Sequence, residues 1–124
     1  MIPLQSHDQF EALLDGANPI VMVKFGAVWC GPCKRIDKDM LLGLSDKIVW
    51  YDCDIDENEE TAAYCGIEKI PSFLAIVNGT PQPLFQSSDT QQVAMWMKAG
   101  FKKPAWGLHD YKSCNPNGGF KKLA

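Results

Sequence analysis

Long apolar runs are missing from this 124-residue sequence. Runs such as residues 20–23 and 73–77 fall far short of the ~20 residues a membrane-spanning helix needs. The opening MIPLQSHDQF lacks the basic start and apolar stretch of a secretory signal. A second Cys-x-x-Cys is absent, as is any His-x-x-His pair, so the usual four ligands of a structural zinc site are not supplied. Strong charge is absent too: the net value of −3 gives no general case for a nucleic-acid or membrane-surface protein. Nor are the cysteines spread and paired as in a small secreted scaffold. There are five, an odd number; Cys30 and Cys33 stand close together, while Cys53, Cys65 and Cys114 are scattered. The expectation is a soluble protein of a reducing compartment, the cytoplasm, with no metal and no membrane partner.

What is present suits a globular chain of one domain's length, since 46% of the residues are hydrophobic. Phe10, Leu13 and Leu14 recur at helical spacing after Ser6 or His7, and Asp15-Gly16 ends that segment. Residues 20–25 form a nearly continuous apolar run, the pattern of a strand buried on both faces. Gly26 breaks it, and Cys-Gly-Pro-Cys follows. Ile36, Met40 and Leu44 then predict one face of a helix that starts near Pro32. A second buried strand is predicted over 48–55, then a helix with an acidic start at Glu57 to Glu60, capped by Gly66. A third strand over 73–77 meets the hairpin signal Asn78-Gly79. After a short strand near 84–86, Ser88 and Asp89 are candidate caps for a last helix carrying Val93, Met95, Trp96 and Met97. Early alternation of strand and helix with a late hairpin argues an α/β layer structure with a mixed sheet.

Residues 100–124 differ from the rest. They hold five lysines against Asp110 alone, whereas residues 1–99 hold seven basic and fourteen acidic residues. The expected division is therefore a domain over 1–99 and a basic, aromatic extension over 100–124, in which Gly-Phe-Lys-Lys occurs twice, at 100–103 and 119–122.

The chemistry concentrates at Cys30 and Cys33. Two cysteines at i and i+3 in a first helical turn share a face and can bridge. Unpaired amide N–H groups and the positive end of the helix dipole favour a thiolate there. Such a site brings a thiol pKa down from about 8.5 toward neutrality. Cys30, at the helix entrance, is then the residue that attacks a substrate disulfide. Cys33, one turn in and expected to be more buried, resolves the mixed disulfide. Gly31 and Pro32 make the stiff turn between them.

The stretch VKFGAVWCGPCK (residues 23–34), with Ile70-Pro71 and Asn78-Gly79 in this order, resembles the thioredoxin family. The resemblance covers about residues 1–99. It implies a thioredoxin fold, with a central mixed sheet flanked by helices. It implies reduction of protein disulfides by dithiol exchange, without a cofactor. It also implies electrons from a thioredoxin-reductase-like donor and a role in electron transport. It places Trp29 against the active site and Pro71, as a cis-proline, opposite the cysteines, where Ile70 offers its backbone to an extended client strand.

The sequence departs from the family pattern at a buried pair. Thioredoxins usually bury an aspartate six residues before the first active-site cysteine, and here that residue is Lys24. The lysine usual on the neighbouring strand is replaced by Asp52. The resemblance therefore makes Lys24 and Asp52 candidate catalytic residues, forming an exchanged ion pair beneath Cys33. Against this stands the plainer arrangement, in which Lys24 snorkels to the surface and Asp52 is solvated. Gly26 is expected to loosen the wall beside Trp29, and Ser87 to narrow the client groove where the family often has glycine.

The other features read more simply. Cys53 is expected to be a core residue, and Cys65 a helix-end filler rather than a regulatory thiol. Cys114 is expected to be a free thiol, with a bridge to Cys65 or to another chain as the alternative. His7 reads as a capping-region residue and His109 as a tail residue. Trp106, Tyr111 and Phe120, with the tail lysines, are expected to fold back on the acidic body. The alternative is docking on a partner; a charge of +4 is small for nucleic acid, which is not an expected partner. Two other functions compete with reduction: disulfide oxidation or isomerisation, and service as a thioredoxin-fold adaptor subunit.

Overall fold

The run of apolar residues over 20–25 becomes the central strand of a mixed sheet. A computed structural model describes residues 1–101 of the chain. Its strands are β1 (Ile2–Pro3), β2 (Ile20–Gly26), β3 (Val49–Asp54), β4 (Ser72–Val77), β5 (Thr80–Pro81) and β6 (Phe85–Gln86). The helices are α1 (His7–Ala12), α2 (Gly31–Lys34), α3 (Lys38–Leu42), α4 (Glu59–Cys65) and α5 (Thr90–Lys98), with a 3-10 turn at Leu13–Asp15. Sheet order is β1-β3-β2-β4-β5, with β6 also on β4. β2 runs parallel to β3 and antiparallel to β4. The mixed sheet flanked by helices is the expected architecture.

Alternation along β2 splits its side chains between two cores. Val21, Val23 and Phe25 join Phe10, Cys53, Cys65 and Leu74 on one face. Met22 joins Ile36, Leu41, Trp50, Phe73, Val93 and Trp96 on the other. Period-2 alternation puts Lys24 on this second face, under α2 and α3. Phe85 and Trp96 stack there with centroids 4.8 Å apart, worth about 0.5–1.5 kcal/mol beyond the area they bury. Phe101 packs edge-on to Trp96 at 5.2 Å, two residues past the expected domain boundary.

The capping residues match their sequence signals. Ser6 accepts from the Gln9 amide, and Asp89 from the amides of Gln91 and Gln92. Gly66 closes α4 in the left-handed region. At the hairpin, Asn78 and Gly79 both have positive φ, and a Cβ on Gly79 would meet Leu14 O at 2.8 Å.

The structure corrects the helix predicted after Pro32. It is not continuous: α2 ends at Lys34 and α3 starts at Lys38, with Asp37 as its cap. Thr90 stabilises the break from the far side of the chain. Its Oγ1 accepts the Asp37 N–H at 2.9 Å and donates to Arg35 O at 3.4 Å. β3 is also less buried than predicted. Trp50 and Cys53 are enclosed and the other four residues only partly so, because the outer neighbour β1 covers just two positions. Cys114, His109, Trp106, Tyr111, Phe120 and the second Gly-Phe-Lys-Lys lie outside the described residues.

Candidate active site

β2 ends at Gly26, residues 27–29 turn the chain, and Cys30 becomes the cap of α2. Its backbone is extended, and Sγ accepts the Cys33 N–H at 3.2 Å. Pro32 occupies the first turn, where its missing N–H costs no hydrogen bond. The two cysteines are joined as a disulfide, with Cα atoms 5.3 Å apart.

The expected difference in burial between them is not seen. Cys30 is 3% exposed and Cys33 5%, both enclosed in the closed disulfide. Their surroundings distinguish them instead. Cys30 Sγ lies 4.0 Å from Ile70 O, at a cis Ile70-Pro71 bond. Pro71 is buried, while Gly31 and Pro32 are exposed beside the disulfide. Trp29 stands out at 64% exposure beside Val28 at 76%. The Trp29 indole Nε1 donates to Asp56 Oδ2 at 2.7 Å, which fixes the ring's direction.

Cys33 faces charge. A cleft of about 580 Å³ opens beside it, lined by Lys24, Gly26, Asp37, Lys38 and Asp52 among others. Lys24 does not snorkel outward: it is 4% exposed and in register with Asp52 across β2 and β3. The pair is loose, Lys24 Nζ to Asp52 Oδ1 being 4.0 Å, whereas Lys38 Nζ reaches Asp52 Oδ2 at 2.8 Å. Burial pulls the Lys24 ammonium below its ordinary 10.5; Asp52 opposes this and Lys38 adds to it. Gly26 opens space between Lys24 and Cys33, its ideal Cβ position being 3.2 Å from Nζ and 3.3 Å from Sγ.

Neither Asp56 nor Lys38 was singled out by sequence reasoning. Asp56 is one of a run of acidic residues, and only the turn after β3 aims it at Trp29. Lys38 reaches Asp52 because the helix breaks at 35–37. Ser87 is buried. Its hydroxyl donates to Gln92 Oε1 at 2.7 Å and accepts the Asp89 N–H, so it serves the start of α5.

The other cysteines keep apart from this chemistry. Cys53 and Cys65 are fully buried free thiols in the apolar core under α1 and α4. Burial pushes the Cys53 thiol up to about 12 and raises Cys65 as well. His7 Nδ1 pairs with Thr61 Oγ1 at 2.9 Å, tying α1 to α4. Among the described residues, no three His, Cys, Asp or Glu side chains stand together as a metal site, and no helix is long and apolar enough to cross a membrane.

The family model described as Thioredoxin matches residues 2–99. The thioredoxin of Gallus gallus is 33% identical over 94 residues, covering 73% of this chain and 89% of its own. That of Malassezia sympodialis is 36% identical over 80 residues, covering 61% and 75%. Among solved structures, Plasmodium falciparum thioredoxin superposes with a TM-score of 0.73 at 26% identity, covering 80% of this chain and 98% of that one.

Proposed function

This chain belongs to the thioredoxin family, and from that premise we propose how its residues divide the work of a protein-disulfide reductase. The observation that carries the proposal is the Cys30–Cys33 disulfide at the start of α2, with its Cys30 end turned toward the Ile70 carbonyl. In the reduced protein, Cys30 attacks a client disulfide and forms a mixed disulfide. Cys33 then attacks Cys30 Sγ and frees the client thiol.

The client lies as an extended segment against the backbone at Ile70-Pro71, over the exposed Gly31-Pro32 turn, with Val28 and Trp29 as its apolar contact. Clients are proteins carrying accessible disulfides. A dithiol donor of the thioredoxin-reductase class returns two electrons to the Cys30–Cys33 pair. The compartment is the cytoplasm, a reading supported by two core thiols left unpaired.

The test is thiol release from a small disulfide-bonded protein, with dithiothreitol as the electron source. The wild type accelerates release. Cys33→Ser, reduced beforehand and freed of dithiothreitol, leaves a covalent Cys30–client adduct visible by mass. Unchanged release by Cys30→Ser would sink the assignment.

A further inference from the structure

Among the described residues, Lys24 is the one charged side chain that is buried. Its side chain is 5% exposed, and its backbone is fixed in register between Asp52 on β3 and Phe73 on β4. A buried cation without a close partner is costly, so an arrangement that leaves one is informative. Asp52 is held by Lys38 at 2.8 Å and stands 4.0 Å from Lys24. The amine faces the Cys33 sulfur across the space of the side chain that Gly26 lacks. Lys34 from α2, Asp37 and Asp39 at α3, and Asp54 from β3 are the other charged residues that line this cleft.

We propose that Lys24 accepts the Cys33 proton in the resolving step, across the gap at Gly26, and that Lys38 keeps it available by holding Asp52. The proposal rests on the exchange reaction above. Cys33 S–H gives its proton to the neutral Lys24 amine, and Cys33 Sγ attacks Cys30 Sγ. The Cys30–Cys33 bond forms as the Cys30–client bond breaks, and the electron pair leaves on the client sulfur, which takes a proton from water. The Lys24 ammonium releases its proton to water in the cleft. Two electrons pass from the protein dithiol to the client disulfide. Burial weakens the ammonium, which shifts the amine in the direction a proton acceptor requires.

The test uses the full chain, reduced, with a symmetric aromatic disulfide whose thiolate absorbs visible light. One thiolate appears when Cys30 attacks and a second when Cys33 resolves, so the two steps are read separately across pH. Lys24→Arg puts a permanent charge there that cannot take the proton, and the second phase slows at least tenfold at pH 7; Lys24→Met, with no basic group, does the same. Gly26→Ala, which puts a methyl between the two groups, also slows the second phase. Lys38→Met, at a half-exposed position outside the core, releases Asp52 to Lys24 and moves the midpoint of the second-phase pH profile upward. A wild-type second phase in Lys24→Arg would mean that charge alone suffices and would overturn the proposal. Should the Lys24 variants not fold, a wild-type rate in Gly26→Ala together with an unmoved midpoint in Lys38→Met would overturn it equally. Failure of the wild type to release either thiolate would instead defeat the exchange reading itself.

Discussion

The four described cysteines form two sets that burial alone does not separate. Cys30 and Cys33 are 3% and 5% exposed, Cys53 and Cys65 0%. The first two sit at the start of a helix, where Cys30 Sγ already accepts an amide and Cys33 borders a charged cleft. The second two lie among Phe10, Val23, Phe25 and Leu74, with nothing to favour a thiolate. Polar groups around a sulfur, more than its depth, favour the reactive thiolate.

Several experiments would break or sharpen that contrast. The largest effect belongs to Cys30→Ser, which should abolish disulfide reduction, a fall of at least about 1,000-fold in steady-state thiol release. Alkylation is next. With the reduced protein at pH 8, iodoacetamide should modify Cys30 about 100-fold or more faster than Cys53 or Cys65. Peptide mass mapping would read the three sites separately, and labelling of the core thiols at the same rate would erase the distinction.

Stability gives a smaller and signed effect. The folded state holds the Cys53 proton up to about pH 12, against 9.0 for an ordinary thiol. A raised folded pKa adds stability that is complete below about 9 and disappears as pH climbs from 9 to 12. Lys24 works in the opposite sense, because its lowered pKa adds stability as pH rises toward 10.5. Denaturant unfolding of Cys53→Ala minus wild type isolates the thiol, and the difference should shrink across the 9–12 window. Cys65→Ala should cost about 1–2 kcal/mol while leaving reductase activity intact, since it only empties space in the core. The smallest effect is that of Asp56→Asn. It weakens an exposed hydrogen bond to Trp29, should lower kcat/KM about two- to threefold, and should change the indole fluorescence.

The legible parts of the molecule were those fixed by neighbours in sequence. The β2 run, the Asn78-Gly79 turn, the Gly66 stop and the caps at Ser6 and Asp89 depend on local backbone chemistry, and each stands where its signal lies. So does the Cys-Gly-Pro-Cys turn. The illegible parts depend on distant residues. Thr90 stabilises a helix break 53 positions away, which the even spacing of Ile36, Met40 and Leu44 conceals. β1, at two residues, is too short to show a period, and it is defined only by pairing with Tyr51 and Asp52. The sharing of Asp52 between Lys24 and Lys38 follows from that same break. The equal burial of Cys30 and Cys33 belongs to the closed disulfide, which sequence position does not describe.

The division of labour at the active site turns on whether the Cys30–Cys33 pair donates electrons or takes them. The reduction potential at pH 7, set against defined thiol–disulfide buffers, tests this most directly. A reductase is expected near −270 mV, roughly the thioredoxin value. A value of roughly −120 to −180 mV, in the range of oxidants and isomerases, would contradict the account and direct attention to the charge beneath Cys33.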